Sequence, residues 1–154
     1  MTQYAPLDIG PNWGRLNETI VTLVDYIPDD KLGWSPSPEL WNFKGILLHF
    51  SLARHNWLGS AVKDGRPTPD IFAGRKTKEM MCGQLRLSWQ RVARFLSDPA
   101  NLAREYTGLY FGEEQSFTGN WIAFHLLEHD AHHRADLYRY LALLGVDHPE
   151  VETP

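Results

Sequence analysis

Four stretches of the chain place apolar residues every three or four positions over roughly twenty residues each, and no stretch of comparable length alternates as a strand would. That periodicity predicts amphipathic helices, each of which must bury one face against the others. The first stretch opens after Pro11 and repeats Leu16, Ile20, Leu23, Val24 and Ile27 before Pro28 stops it. The second begins at Asn42, an N-cap candidate, and runs to about Val62, ahead of the loop Asp64-Gly65-Arg66-Pro67. The third runs from about Thr77 to Leu96, with Met81, Leu85, Trp89, Val92 and Leu96 on one side, and ends at Ser97-Asp98-Pro99. The fourth runs from Thr118, another N-cap candidate, to Gly145, a C-terminal stop. Helices of this length are about 30 Å long, which predicts an all-α four-helix bundle. The linkers after the second and third helices, about 14 and 21 residues, are long enough to help close a site.

No repeat, low-complexity tract or second domain is visible, so residues 1–154 read as one domain, with 43% apolar residues to build its core. A formal charge of −4 offers no field for a phosphate backbone, which argues against nucleic acid as a partner. The absence of a long apolar run and of a leader pattern argues against a membrane and for a cytoplasmic protein. With Cys82 as the single cysteine, neither an internal disulfide nor a thiolate metal cage can form, and a metal site would have to use His and carboxylates. Cys82 itself reads as a small packed hydrophobe. The six Trp read mostly as packing residues, a few lining a pocket from the loops.

The seven His carry the chemical argument. On the fourth helix His125, His129 and His133 are spaced by four and share a sector with Ile122, Leu126, Leu137, Tyr140 and Leu144, which predicts imidazoles facing the bundle interior. The second helix places His49 within the inward stripe Ile46, Phe50, Ala53 and Trp57. Burying a polar ring without a partner costs roughly 1–3 kcal/mol. Two His one turn apart plus one from a facing helix would use those nitrogens to hold a divalent ion with open positions. A His and Tyr hydrogen-bond network is the alternative. Periodicity leaves open whether His125 pairs with His129 or His129 with His133. Asp136 is placed to be a fourth ligand or an acceptor that orients an imidazole, unless it pairs with Arg134 or is solvated. His132 and His55 read as surface residues, and Glu128 and Asp130 point away from the inward face, so a di-iron carboxylate site is not expected.

Two motifs carry a family resemblance. Ile27-Pro28-Asp29-Asp30-Lys31-Leu32-Gly33-Trp34-Ser35-Pro36 is followed by Trp41 and, eight residues later, His49; His125-Leu-Leu-Glu-His129-Asp-Ala-His132-His133-Arg134-Ala-Asp is followed by Leu144-Gly145. In order and spacing the chain resembles the DinB/YfiT-like superfamily. That resemblance implies a four-helix bundle with a long crossover, often a homodimer, and one divalent ion held by His49, His129 and His133, with His125 and Asp136 beside it. Where the family commonly has Gly-Gln, this chain has Ala135 and Asp136, which adds an anionic group. Characterised relatives include metal-dependent transferases and isomerases that use a low-molecular-weight thiol, so the resemblance implies a thiol S-transferase acting on a small-molecule substrate, with Zn²⁺ expected first and Ni, Fe or Mn as other ions. A non-catalytic metal- or small-molecule-binding bundle in stress response, and a hydrolase using metal-bound water, are the other readings. Arg75, Lys76 and Arg134 are candidates to hold the thiol's carboxylates.

Overall fold

Three of the four expected helix starts find a capping side chain, and the first does not. The side chains of Asn42, Thr77 and Thr118 accept hydrogen bonds from the backbone N–H of Gly45, Met80 and Trp121 at 2.8, 3.1 and 3.2 Å, satisfying donors that a helix leaves unpaired. The computed structural model describes residues 9–110 and 112–149, and the ends of the expected 1–154 domain lie outside them. The long helices are α1 (Gly10–Tyr26), α2 (Phe43–Asn56), α3 (Lys78–Leu96) and α5 (Gly119–Leu143), with a short α4 (Pro99–Ala103) before the last. Gly145 takes φ of 66°, and the amides of Gly145 and Val146 return to the carbonyls of Ala142 and Leu141, a Schellman stop for α5.

The four long helices form the expected mostly helical bundle. One apolar cluster joins Ile20–Ile27 of α1, Ile46–Phe50 of α2, Met81 and Leu85 of α3, and Leu137–Leu141 of α5. The other joins Trp13, Leu58, Val92 and Phe95 with Ile122 and Leu126. Because α2 and α3 run in the same direction between these clusters, the segment joining them must cross the full length of the bundle. The long second linker is that crossover.

Two expectations are corrected. The second helix is α only to Asn56; Trp57–Ala61 widens into a π-turn, where Gly59 allows Thr68 and Arg91 to approach. The third linker contains α4 and an antiparallel hairpin, β1 (Glu105–Tyr110) and β2 (Glu113–Thr118), paired from Glu105 with Thr118 to Tyr110 with Glu113. Two six-residue strands carrying Gly108 and three glutamates are too short and too polar to show the alternation of a buried strand. The hairpin survives because it lies on the bundle, with Tyr106 buried and Phe117 and Tyr110 packed on the second apolar cluster.

The start of α5 is fixed by a contact that tolerates no side chain. A Cβ on Gly119 would lie 1.9 Å from the Asn101 carbonyl oxygen and 2.8 Å from Leu102 Cα, both backbone atoms. Gly119→Ala is therefore expected to cost about 3 kcal/mol through overpacking and to lower the melting temperature by roughly 6–12 °C. Thermal unfolding followed by circular dichroism checks this, and an unchanged midpoint refutes it.

Candidate metal centre

Alpha2 and α5 run antiparallel against each other, and their facing edges carry His49 on one side and His129 and His133 on the other. One ring nitrogen from each of the three lies within 4.8 Å of the other two. His129 Nε2 and His49 Nε2 are 2.7 Å apart, and the ring centroids of His129 and His133 are separated by 4.7 Å. The imidazoles lie at the edge of the buried stripe rather than in its middle, with 15% of the His129 and 16% of the His133 side chain exposed. The expectation of fully inward imidazoles is corrected accordingly. The buried stripe of α5 runs through Ile122, Ala123, Leu126, Asp130, Leu137 and Leu141, one residue around from the His row.

Burial and the neighbouring rings of His129 and His133 push the His49 pKa down to about 4, against a small upward pull from Asp130. His49 is therefore neutral at pH 7, with a lone pair available. Burial and His129 also lower the His133 pKa, while Asp136 raises it in part. Asp136 Oδ2 accepts from His133 Nδ1 at 3.2 Å, which leaves His133 Nε2 as its free nitrogen, and Asp136 Oδ1 takes Arg139 at 3.4 Å. Asp136 therefore orients His133 and is grouped with His132 and His133 rather than with His49 and His129. His132 is exposed, as expected.

Three imidazole donors suit a borderline divalent ion. Nitrogens bound to one such ion at roughly 2.0–2.1 Å sit about 3–4 Å apart, a span this cluster accommodates. At 2.7 Å, the Nε2 atoms of His49 and His129 cannot both carry a proton. His129 Nδ1 is buried without a hydrogen-bond partner, 3.7 Å from Asp130 Oδ1. With both Nε2 lone pairs given to an ion, Nδ1 carries the proton and faces that carboxylate, so the residues present fit the group.

Asp130 is the residue that sequence reasoning placed on the wrong side. It is fully buried, accepts from Trp13 Nε1 at 2.7 Å, and pairs with the equally buried Arg54, whose Nη2 lies 2.8 Å from Oδ2. Arg54 Nη1 also reaches Asn17 Oδ1 at 2.8 Å, the Leu85 carbonyl at 3.1 Å and Ser88 Oγ at 3.2 Å, so one ion pair ties all four long helices together. Burial pushes the Asp130 carboxyl upward, but Arg54, helped by His129 and Trp13, outweighs it and holds the group below the usual carboxylate range. The signal was available: Asp130 continues the Ile122, Ala123, Leu126 spacing and reaches Leu137 seven residues on.

Around the imidazoles the walls are aromatic. Trp41 meets His49 edge-on at 4.2 Å and stacks over His133 at 5.9 Å, while Phe50 lies 5.9 Å from His133 on the buried side. His125 is not grouped with the three. It stacks on Trp121 at 5.0 Å and 5°, meets Trp57 at 5.0 Å, and lies 6.5 Å from His129. Phe117 and Tyr110 of the hairpin extend this wall through Trp121 and Trp57, so the third linker does border the site. The second linker does not: it packs on the far side, against His55, which is buried rather than a surface residue. Lys76 bonds the Ala73 carbonyl and Arg134 lies beside Tyr138. Cys82 is partly buried and its thiol is raised by burial and by Asp25, consistent with packing rather than reactivity.

The DinB family profile matches residues 9–154. A DinB-like protein from Bacillus subtilis shares the fold with a TM-score of 0.69 at 18% identity, covering 94% of this chain and 95% of its own. A DinB-like protein from Bacillus cereus ATCC 10987 gives 0.73 at 16% identity, covering 92% and 94%. No curated protein matches the chain.

Proposed function

The chain belongs to the DinB family, and from that premise we propose that it is a metal-dependent enzyme of the thiol S-transferase type, with His49, His129 and His133 holding one divalent ion. The observation that carries the reading is the convergence of three imidazole nitrogens, from two helices, within 4.8 Å. An ion bound there would supply Lewis acidity, lowering the pKa of a low-molecular-weight thiol toward neutrality. The chain's own residues do the positioning. Asp136 holds His133 in the tautomer that presents Nε2, and Asp130, fixed by Arg54 and Trp13, faces the Nδ1 of His129. Trp41 and Phe50 restrict water on two sides, and His125, Trp121 and Trp57 offer flat surface to an apolar part of a small-molecule substrate. An all-imidazole donor set favours Zn²⁺, with Ni, Fe and Mn next.

Protein purified without a metal-affinity step is expected to carry about one divalent ion per chain. Chelation is expected to lower the melting temperature by about 5–10 °C, since an ion held only by the folded state at a hundredfold excess over Kd contributes about 2.7 kcal/mol. Elemental analysis and a thermal scan read both, and metal-free protein indifferent to Zn²⁺, Ni²⁺ and Mn²⁺ refutes the site. Loaded protein should also consume a cellular thiol in the presence of an electrophile; loaded protein that consumes none refutes the transferase reading while leaving the metal site intact.

A further inference from the structure

On the opposite side of α2 from the imidazole cluster, a cavity of about 280 Å³ opens between the crossover segment and the C-terminal half of α3. His55, Arg66, Gln90, Arg91 and Arg94 line it together with two prolines and Leu87. None of these residues takes part in the imidazole cluster.

Arg91 is buried and spends its guanidinium on this wall. Its Nε and Nη2 bond Asp64 at 2.7 and 2.5 Å, Nη2 also reaches the Arg66 carbonyl at 3.1 Å, and Nη1 lies 3.0 Å from His55 Nδ1. A guanidinium only donates, so His55 Nδ1 accepts, and the proton of the neutral ring is on Nε2. His55 is 2% exposed, and that Nε2 has no hydrogen-bond partner. Burial, with Arg91 and Arg54 close by, holds His55 down to about 4 against the pull of Asp64, so at pH 7 the ring is neutral and adds no charge to this wall. Three guanidiniums border the cavity against the single carboxylate of Asp64, and no acidic residue lines it. In a chain of net charge −4, this is a local excess of positive charge walled by apolar rings. Arginine forks recognise oxyanions.

We infer that this cavity binds a small molecule with a phosphate or carboxylate head, recognised by Arg94 and Arg66, its body lying against the prolines and Leu87. The volume suits a compact metabolite rather than a polymer. Because Arg91 anchors the crossover through Asp64 and Arg66, occupancy would also brace that segment.

The test is titration of ¹⁵N-labelled full-length protein with phenyl phosphate, benzoate and neutral benzamide, following the His55 and Arg91 side-chain signals. Saturable binding of phenyl phosphate, benzoate or both is expected, and which binds identifies the head group. Arg94→Gln, an exposed change that spares the fold, should weaken it about tenfold, as loss of a charge-assisted hydrogen bond does. His133→Ala should leave it unchanged, which separates this cavity from the imidazole cluster. Binding of neither oxyanion, equal binding of benzamide, persistence of full affinity in Arg94→Gln, or loss in His133→Ala overturns the proposal.

Discussion

Alanine in place of Asp130 is expected to destabilise the protein by about 3–5 kcal/mol, the cost of leaving a buried charge without its partner. Arg54 has no exposed surface, so water cannot replace the carboxylate, and its remaining contacts with Asn17, Ser88 and the Leu85 carbonyl are neutral acceptors. A domain of this size has roughly 5–15 kcal/mol in total, so the variant will be marginal. Arg54→Met combined with Asp130→Leu should recover more than half of the loss, because an apolar pair of similar volume removes both desolvation costs. Recovery will be incomplete, since Trp13 Nε1 loses its acceptor in the pair. Urea unfolding with midpoint and slope measured for parent, single and double variants decides the matter. A single variant within about 1 kcal/mol of the parent would show that the guanidinium is neutralised elsewhere.

Metal content across four histidine variants should divide three to one. His49→Ala, His129→Ala and His133→Ala are each expected to reduce bound ion from about one per chain to background. His125→Ala is expected to keep it and to impair turnover alone. The axial rise of a helix puts His125 and His133 about 12 Å apart, too far to share an ion with bonds of roughly 2.0–2.1 Å, so only one neighbouring pair can serve. The geometry favours His129 with His133, because those two converge with His49 while His125 turns into the stack of Trp121 and Trp57. Asp136→Asn, which keeps an acceptor but loses the charge, should weaken affinity about 10–100-fold with stoichiometry retained at saturation. Loss of metal in His125→Ala with retention in His133→Ala would move the site one turn toward the start of α5. Circular dichroism on each variant separates lost ligation from lost folding.

The helices were legible because caps and apolar periodicity are local: Asn42, Thr77, Thr118 and Gly145 mark ends that the chain then uses. The convergence of His49, His129 and His133 was legible from spacing together with resemblance. The hairpin was not, because Tyr106 and Phe117 are held by a surface the strands do not themselves provide. Arg54, Asp130 and His55 were not, for a shared reason: each is a polar residue whose burial depends on a partner distant in sequence, 76 residues for the ion pair and 36 for His55 with Arg91. A helical wheel treats such residues as solvent-facing. Centring the α5 stripe on the His row displaced it by one residue, enough to send Asp130 outward.

Asp130 occupies the position immediately after His129, so the residue that locks the bundle and a member of the imidazole cluster share a peptide bond. Mutational drift can therefore explore this centre from only one side. Changes at Asp130, Arg54 or Trp13 are purged as folding defects before any new chemistry is tried. Trp41, His125, Trp121 and Asp136 border the imidazoles without joining that lock, so changes there alter the surroundings of the cluster without touching the fold's central ion pair. Directed evolution of the protein is best confined to those four.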